Sequence, residues 1–274
     1  MLSRLGFATA ALDAKLLTQH GLGLSALELA TQENQSVDPA GADRVASLLQ
    51  RRLNGESVAR IIGEREFYGL AFSLNAATLE PRPDTELLVE LALGAMPAGG
   101  RLLDLGTGTG CIPIALLAHM AGISAVAVDL SALALDAARD NAARHGVADR
   151  LTLLEGSWFT PLAPQRFDII VSNPPYIASA VVETLAAEVK DFDPRLALDG
   201  GPDGLAPYRV LATQAGAWLG AGGRILVEIG HDQGAAVSAL FLEAGYEDVS
   251  VRRDLAGLDR VVVAHHDDGI VKPG

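Results

Sequence analysis

The segment that most constrains this chain is Leu102-Leu103-Asp104-Leu105-Gly106-Thr107-Gly108-Thr109-Gly110, an apolar run of strand length that enters a glycine-rich turn. Cys111-Ile112-Pro113-Ile114-Ala115-Leu116-Leu117 follows and reads as the opening of a helix. Glycine tolerates positive φ and places no Cβ between the backbone and an approaching ligand. A strand that ends in such a turn and feeds a helix belongs in an α/β sheet, whose ligands bind outside the carboxyl ends of the strands. The spacing narrows the ligand further. A dinucleotide fingerprint needs Gly-x-Gly-x-x-Gly, and the third glycine counted from Gly106 would fall at Cys111. Gly-x-Gly-x-Gly suits a nucleoside ligand that carries no pyrophosphate.

The surrounding pattern agrees. Arg101–Leu105, Ser124–Val128, Leu151–Glu155, Phe167–Ser172 and Arg224–Ile229 are short apolar runs, and residues 111–121, 131–145, 207–219 and 231–244 have helical period. Strand–helix alternation predicts a doubly wound, mostly parallel sheet. The last pair of strands, around 246–252 and 259–265, is separated only by the Asp254–Leu258 loop and is expected to be antiparallel. Residues 105–128 carry no charged side chain over 24 positions, yet Gly106, Gly108, Gly110, Pro113 and Gly122 break the run. It reads as strand, turn, helix, turn and strand rather than as a membrane span.

Before residue 60 the chain reads as short helices. Leu12, Leu16 and Leu17 share one face, Leu24, Leu27 and Ala30 or Thr31 a second, and Val45, Leu48, Leu49, Arg52 and Leu53 follow the capped start Asp38-Pro39. Phe67-Tyr68-Gly69-Leu70-Ala71-Phe72-Ser73-Leu74 alternates around a glycine turn and predicts a hairpin. Pro81 and Pro83 introduce a helix over 84–95. The expected organisation is a helical docking domain over 1–66, a hairpin linker over 67–83 and the catalytic domain over 84–274.

Charge bears on the partner. The chain of 274 residues has 21 basic and 34 acidic side chains, net −13, and residues 81–274 carry 14 and 25 of them. A protein that grasps many phosphates needs a basic face, which this balance does not advertise. Cys111 is the single cysteine, so no internal disulfide and no zinc cluster is expected. The N-terminus lacks the long apolar stretch of a signal peptide, with Asp13 and Lys15 inside the candidate region. These features predict a cytoplasmic protein, and nothing in them demands a dimer.

Two further features carry chemistry. Asp129 closes the second strand of the sheet, about 20 residues past the glycines, where a carboxylate accepts hydrogen bonds from ribose hydroxyls. The competing role is a carboxylate at the N-terminus of the helix beginning at Ser131. The more specific signal is Ser172-Asn173-Pro174-Pro175-Tyr176 at the end of a buried strand. Two prolines fix the backbone and remove two N–H donors, leaving carbonyls without local partners. Asn173 and the Pro174 carbonyl together suit both protons of a planar –NH2 group, and Tyr176 suits its flat face. A nitrogen held this way is oriented and pyramidalises toward an incoming methyl group, which is catalysis by positioning without a strong base.

This segment resembles the motif of amino methyltransferases, which include adenine-N6, guanine-N2 and protein-glutamine enzymes. Glu66-Phe67-Tyr68-Gly69-Leu70, Pro81-Arg82-Pro83-Asp84-Thr85-Glu86, Leu196 through Leu205, Glu228-Ile229-Gly230 with Gln233, and Asp254 through Arg260 resemble one branch, the peptide-chain release factor glutamine methyltransferases (HemK/PrmC family). The resemblance spans roughly residues 60–265. It implies the seven-stranded class I S-adenosylmethionine methyltransferase fold with a small N-terminal helical domain. It also implies methyl transfer from S-adenosylmethionine to the glutamine N5 of the Gly-Gly-Gln motif in class I release factors. Carried over by position, Gly106, Thr107, Gly108, Thr109, Gly110 and Asp129 would hold the cofactor with Asn173, Trp158 would pack on its adenine, and Asn173, Pro174, Pro175 and Tyr176 would hold the glutamine amide. Two positions depart from the family pattern: Ser157 stands where an acidic residue usually precedes the tryptophan, and Glu80 stands where an apolar residue is usual.

Weaker signals have plainer readings. His265-His266-Asp267-Asp268 reads as a solvated tail rather than a metal site. Cys111 reads as a small packing residue, and the plainer reading of Trp158 with Phe159 is that both are core. The acidic residues Glu183, Glu188, Asp191, Asp193, Asp199 and Asp203 read as a solvated face, or as a rim that attracts a basic protein partner. The alternatives in function are a nucleic-acid amino methyltransferase and a non-catalytic cofactor-binding module.

Overall fold

The structure, a computed structural model, describes Leu2, residues 6–32 and residues 34–266. Four helices come first: α1 (Ala10–Leu22), α2 (Ala26–Thr31), α3 (Pro39–Leu53) and α4 (Val58–Ile62). Their starts are written in the sequence. Ser25 and Glu28 form a reciprocal capping box, the Asp38 carboxylate accepts from the Gly41 N–H, and the Ser57 hydroxyl accepts from the Arg60 N–H. The buried faces differ from the expected ones. On α1 the buried positions are Ala10, Asp13, Leu17 and Gly21, while Leu12 is 54% exposed. An ion pair displaces the leucine, since the Asp13 carboxylate meets buried Arg52 of α3 at 2.7 Å. On α2 no residue is buried, and Leu27 is 73% exposed.

β1 (Glu64–Phe67) and β2 (Leu70–Ser73) form an antiparallel hairpin. Its turn residues Tyr68 and Gly69 have φ of 51° and 75°, the doubly left-handed turn that matches strand twist. The strand opens at Glu64, before the expected Phe67, because Gly63 at φ 80° ends α4 and lets the chain extend at once.

The remainder builds the sheet in the order α5 (Glu86–Ala95), β3 (Arg101–Leu105), α6 (Cys111–His119), β4 (Ser124–Asp129), α7 (Ala132–Arg144), β5 (Leu151–Glu155) and β6 (Phe167–Ser172). The short α8 (Ser179–Val182) and α9 (Ala187–Lys190) precede α10 (Ala206–Gln214), β7 (Leu219–Glu228), α11 (Gly234–Glu243), β8 (Glu247–Arg253) and β9 (Asp259–His265). The seven strands lie in the order β5-β4-β3-β6-β7-β9-β8. β3 to β7 are parallel, and β9 pairs antiparallel with both β7 and β8. β7 begins at Leu219, earlier than the expected Arg224. Gly222 at φ 72° and a register shift opposite Phe167 let its first residues stay paired.

Each face of the sheet buries a separate apolar cluster. Phe67, Phe72, Leu88, Ile114 and Leu116 pack on one side, and Tyr208, Leu211, Val237 and Phe241 on the other. Each such side chain stabilises the fold by about 1.5–3 kcal/mol on burial. The uncharged run 105–128 is divided as expected into strand end, turn, α6, a Gly122 turn and β4. Among the described residues no helix is long and apolar enough to cross a membrane.

The histidines near the C-terminus correct an expectation. His265 ends β9, the His266 N–H donates to the Gly223 carbonyl at 3.1 Å, and its ring lies 5.4 Å from that of Tyr246. They belong to the sheet because an aromatic partner and a backbone acceptor hold them. Asp267 and Asp268 lie outside the described residues. Among the described residues no group of His, Cys, Asp and Glu has the arrangement of a metal site.

Candidate active site

Strand order reverses at β3, where the chain goes one way to β4 and β5 and the other way to β6 and β7. The carboxyl ends of these strands open on a crevice of about 560 Å³, the location expected for a ligand in such a sheet. Gly106, Thr107, Gly108, Thr109, Asp129, Trp158, Asn173 and Pro175 line it; Gly110, Pro174 and Tyr176 lie just outside its walls.

The three glycines of the turn have different work. Gly106 and Gly108 sit at φ of 79° and 55°, and a Cβ on either would project into open space within the crevice. Gly110, at φ 77°, begins α6, and a Cβ there would meet Ile114 Cδ1 at 2.8 Å and Ala138 Cβ at 3.2 Å. The first two leave room for a ligand; the third lets α6 approach α7. Asp129 ties the turn to β4: its Oδ2 accepts from the Gly108 N–H at 2.8 Å and its Oδ1 from the Ser131 N–H at 2.9 Å. Each oxygen can accept a further hydrogen bond, and Asp129 lines the crevice. Helix α7 is capped by the Ser131 hydroxyl, so the competing role for Asp129 is filled by its neighbour.

Trp158 holds a φ of 50°, a strained conformation for a bulky residue, and lines the crevice half-buried. Phe159 takes the other path, buried and stacked on Trp218 at 6.1 Å. Ser157 is exposed at the crevice wall. Cys111 is buried, which pushes its thiol up to about 12 and keeps it unreactive.

Asp104 was not singled out from the sequence, although its place between two buried leucines is the signal that marks it. It is fully buried, and neither carboxylate oxygen has a hydrogen-bond partner among the described residues; nor has the Thr107 hydroxyl. Burial, reinforced by the charge of Asp129, raises this carboxyl to about 7 against the opposing pull of nearby Thr107. An orphaned carboxylate and hydroxyl behind a Cβ-free turn fit a ligand that brings a positive charge and its own donors. S-adenosylmethionine, with its ammonium, sulfonium and ribose hydroxyls, is such a ligand.

The other end of the crevice is built from side chains far apart in sequence. Ser172, the last residue of β6, donates its hydroxyl to the Leu105 carbonyl at 2.6 Å and so locks β6 to β3 beside the glycine turn. Asn173 follows. Its Nδ2 donates to Thr85 Oγ1 at 3.1 Å, and Thr85 donates to Glu228 Oε2 at 2.6 Å. No described group donates to Asn173 Oδ1 or to the Pro174 carbonyl. Burial lifts the Tyr176 phenol to about 12. Its backbone carbonyl accepts from Gln233 Nε2 at 2.9 Å, while Gln233 Oε1 accepts from the Gly230 N–H at 3.0 Å.

Three of the stretches that sequence offered only as a resemblance come together here. Thr85 and Glu228 meet at Asn173, and Gln233 and Gly204 at Tyr176. Residues 66–70 instead form the hairpin turn against Glu86 and His119. Arg82 and Arg60 grip the two oxygens of buried Asp193 at 2.7 and 2.6 Å, and Arg260 joins Asp84 and Asp254, each at 3.1 Å. Glu80 is buried at the crevice wall, where the Ser57 hydroxyl donates to it at 2.7 Å and Arg65 lies 3.4 Å away. These partners explain how a carboxylate occupies a usually apolar position. The acidic stretch 183–203 is for the most part a solvated face, with Glu183, Glu188, Asp191 and Asp203 exposed and only Asp193 buried. Glu183 pairs with Arg195, Glu188 with Arg52, Asp193 with Arg60 and Arg82, and Asp203 with Arg209. Only the Asp193 carboxylate is buried in its pairs; the others lie at the surface, where solvent screens them.

A doubly wound seven-stranded sheet with this glycine turn, the Asp129 carboxylate at the end of β4 and a crevice between them defines an S-adenosylmethionine-dependent methyltransferase. Residues 82–192 match the family described as Methyltransferase small domain, and residues 1–63 match the PrmC N-terminal domain. The release factor glutamine methyltransferase of Agrobacterium fabrum is 45% identical over 94% of this chain and 91% of its own length. That of Cereibacter sphaeroides is 45% identical over 96% and 94%. A methyltransferase from Pyrococcus furiosus, 16% identical with a TM-score of 0.57 over 81% of this chain and 99% of its own, shares the fold. The chain belongs to the release factor glutamine methyltransferase family.

Proposed function

We propose that this protein methylates the side-chain amide nitrogen (N5) of the glutamine in the Gly-Gly-Gln motif of class I peptide-chain release factors. The observation that carries the reading is the pair of acceptors without donors, Asn173 Oδ1 and the Pro174 carbonyl, at the end of β6 beside the glycine turn. A primary amide has two N–H groups to offer them.

Bound in the crevice, S-adenosylmethionine supplies a methyl carbon on a sulfonium sulfur that leaves as a neutral thioether. Gly106 to Thr109 and Asp129 would hold its nucleoside end, with Gly110 setting the approach of α6 beneath them, and Trp158 would pack on the adenine. An amide nitrogen is a poor nucleophile because its lone pair is delocalised. Asn173 Oδ1 and the Pro174 carbonyl accept its two N–H groups, turn the lone pair toward the methyl carbon and stabilise the positive charge that builds on nitrogen. Pro175 keeps the backbone rigid, and Tyr176 lies against the flat amide. The methylated nitrogen, briefly carrying an extra proton, releases one to solvent past the same acceptors.

The N-terminal helices serve as the docking region for the protein substrate. The exposed apolar residues Leu12 of α1 and Leu27 of α2, with Val37 in the loop before α3, support that role. The acidic balance over residues 81–274 argues against direct nucleic-acid binding and against the adenine-N6 or guanine-N2 alternative. We place the enzyme in the cytoplasm, where its substrate works, as a monomer. Mass spectrometry of a release factor incubated with the enzyme and S-adenosylmethionine tests the reading. One added methyl group confined to the Gly-Gly-Gln peptide is expected; methylation only elsewhere in the factor, or only of RNA or DNA, would overturn it.

A further inference from the structure

A side-chain amide is nearly symmetrical in shape, and a half-turn about its last bond exchanges its oxygen for its nitrogen. Asn173 in the flipped orientation would present two N–H donors to a substrate amide that itself offers N–H donors, and the acceptor pair would be lost. Something must fix the orientation. We propose that Thr85 and Glu228 are positioning residues that set the polarity of the Asn173 amide, so that its oxygen and not its nitrogen faces the substrate. The inference rests on the reading of Asn173 given above.

The geometry supplies the logic. Thr85 has one hydroxyl proton, which it donates to Glu228 Oε2 at 2.6 Å; the Asn173 amide donates to the Thr85 oxygen at 3.1 Å. With that proton committed, Thr85 presents only lone pairs to Asn173. A flipped Asn173 would set its own oxygen against them, an unmade hydrogen bond and a repulsive contact in a buried place. Thr85 and Glu228 are each 2% exposed, so water does not relieve the mismatch. Both partners arrive by topology. Thr85 precedes α5, and Glu228 ends β7 next to the end of β6.

The relay runs in this direction only while Glu228 is ionised. A protonated carboxyl would donate to the Thr85 oxygen and free the hydroxyl proton to turn toward Asn173. The groups facing Glu228 are Thr85, Asn173 and Arg260, which favour the carboxylate, and Asp84, which opposes it, with Tyr176, Tyr208 and the neutral Cys111 thiol also nearby. Burial dominates and raises the carboxyl to about 7.

The test uses the full-length protein with intact release factor and S-adenosylmethionine. Thr85→Val, which keeps the shape and removes the hydroxyl, should lower kcat on the order of 10–100-fold while the Kd for cofactor stays within about twofold. Thr85→Ser should recover most of that loss. The wild-type kcat should fall as pH drops through about 7, and Glu228→Gln, whose amide oxygen accepts at any pH, should lack that acid limb. Wild-type kcat in Thr85→Val, or an unchanged acid limb in Glu228→Gln, would overturn the proposal. A readout independent of turnover is the Asn173 side-chain amide resonance by NMR. Its N–H should be protected from exchange in the wild type and in Thr85→Ser and lose protection in Thr85→Val; equal protection in all three overturns the relay. Absence of methyl transfer by the wild type would instead refute the proposed substrate, with the NMR comparison still deciding the relay.

Discussion

The two ends of the crevice are constructed differently. At the cofactor end, the contact that shapes the glycine turn joins residues 21 apart in sequence, Gly108 and Asp129, and both partners belong to one β–α–β unit. At the amide end, Asn173 reaches Thr85 across 88 residues, and Thr85 reaches Glu228 across 143. The first end is a local motif made chiefly of backbone, and its Cβ-free turn leaves open space of ligand size. The second is a side-chain assembly that exists only after the sheet has closed, and in it Thr85 fixes which atom of the Asn173 amide turns inward.

The sharpest way to break this division is Asn173→Ala. Turnover should fall about 10²–10³-fold, while isothermal titration should find cofactor affinity within about twofold. A large loss of affinity would mean that the two ends are one site. Next in size is a paired test within the turn. Gly106→Ala places a Cβ in the crevice at positive φ and should weaken cofactor binding at least about tenfold, with roughly 1–2 kcal/mol of lost stability. Gly110→Ala should cost roughly 2–4 kcal/mol of stability through its clash with Ile114 and Ala138, with the smaller effect on binding.

Both ends also hide a carboxyl raised to about 7, Asp104 at one and Glu228 at the other. A raised carboxyl binds its proton more tightly in the folded than in the unfolded chain. Its stabilising contribution is complete below the unfolded value and is lost as pH rises through about 7. Thermal melts of the ligand-free protein should therefore fall on the order of 5 °C between about pH 5 and 8. Asp104→Asn and Glu228→Gln should each flatten part of that slope. The smallest expected effect is Ser157→Asp, which restores an acceptor at the adenine side and should tighten cofactor binding by about two- to fivefold.

The difference between the ends also explains what was legible in the sequence. The boundaries of β3, β5 and β6 follow from apolar runs bounded by turn residues, and the glycine turn announces its ligand class through spacing alone. The Asn-Pro-Pro-Tyr segment announces its chemistry because proline removes donors wherever it stands. Thr85 and Glu228 could not be read that way: one resembles a helix-start residue, the other an acid at a strand end, and neither shows its partner. On α1, Leu17 lies on the buried stripe as its spacing suggests, but Leu12 does not, since a long-range ion pair buries Asp13 instead. Periodicity reports apolar side chains and is silent about charges that find each other across 39 residues.

Asp193 carries one more consequence. Its carboxylate is shared by Arg60 of α4 and by Arg82 at the threshold of the catalytic sheet, and the segment that bears it runs on to the crevice wall at Pro194 and Leu196. Removing the first 63 residues would leave that carboxylate buried with half its counter-charge gone. The N-terminal helices are thus poor candidates for exchange as a cassette. A chimera carrying another family member's helices should succeed only where the arginine at position 60 is supplied as well.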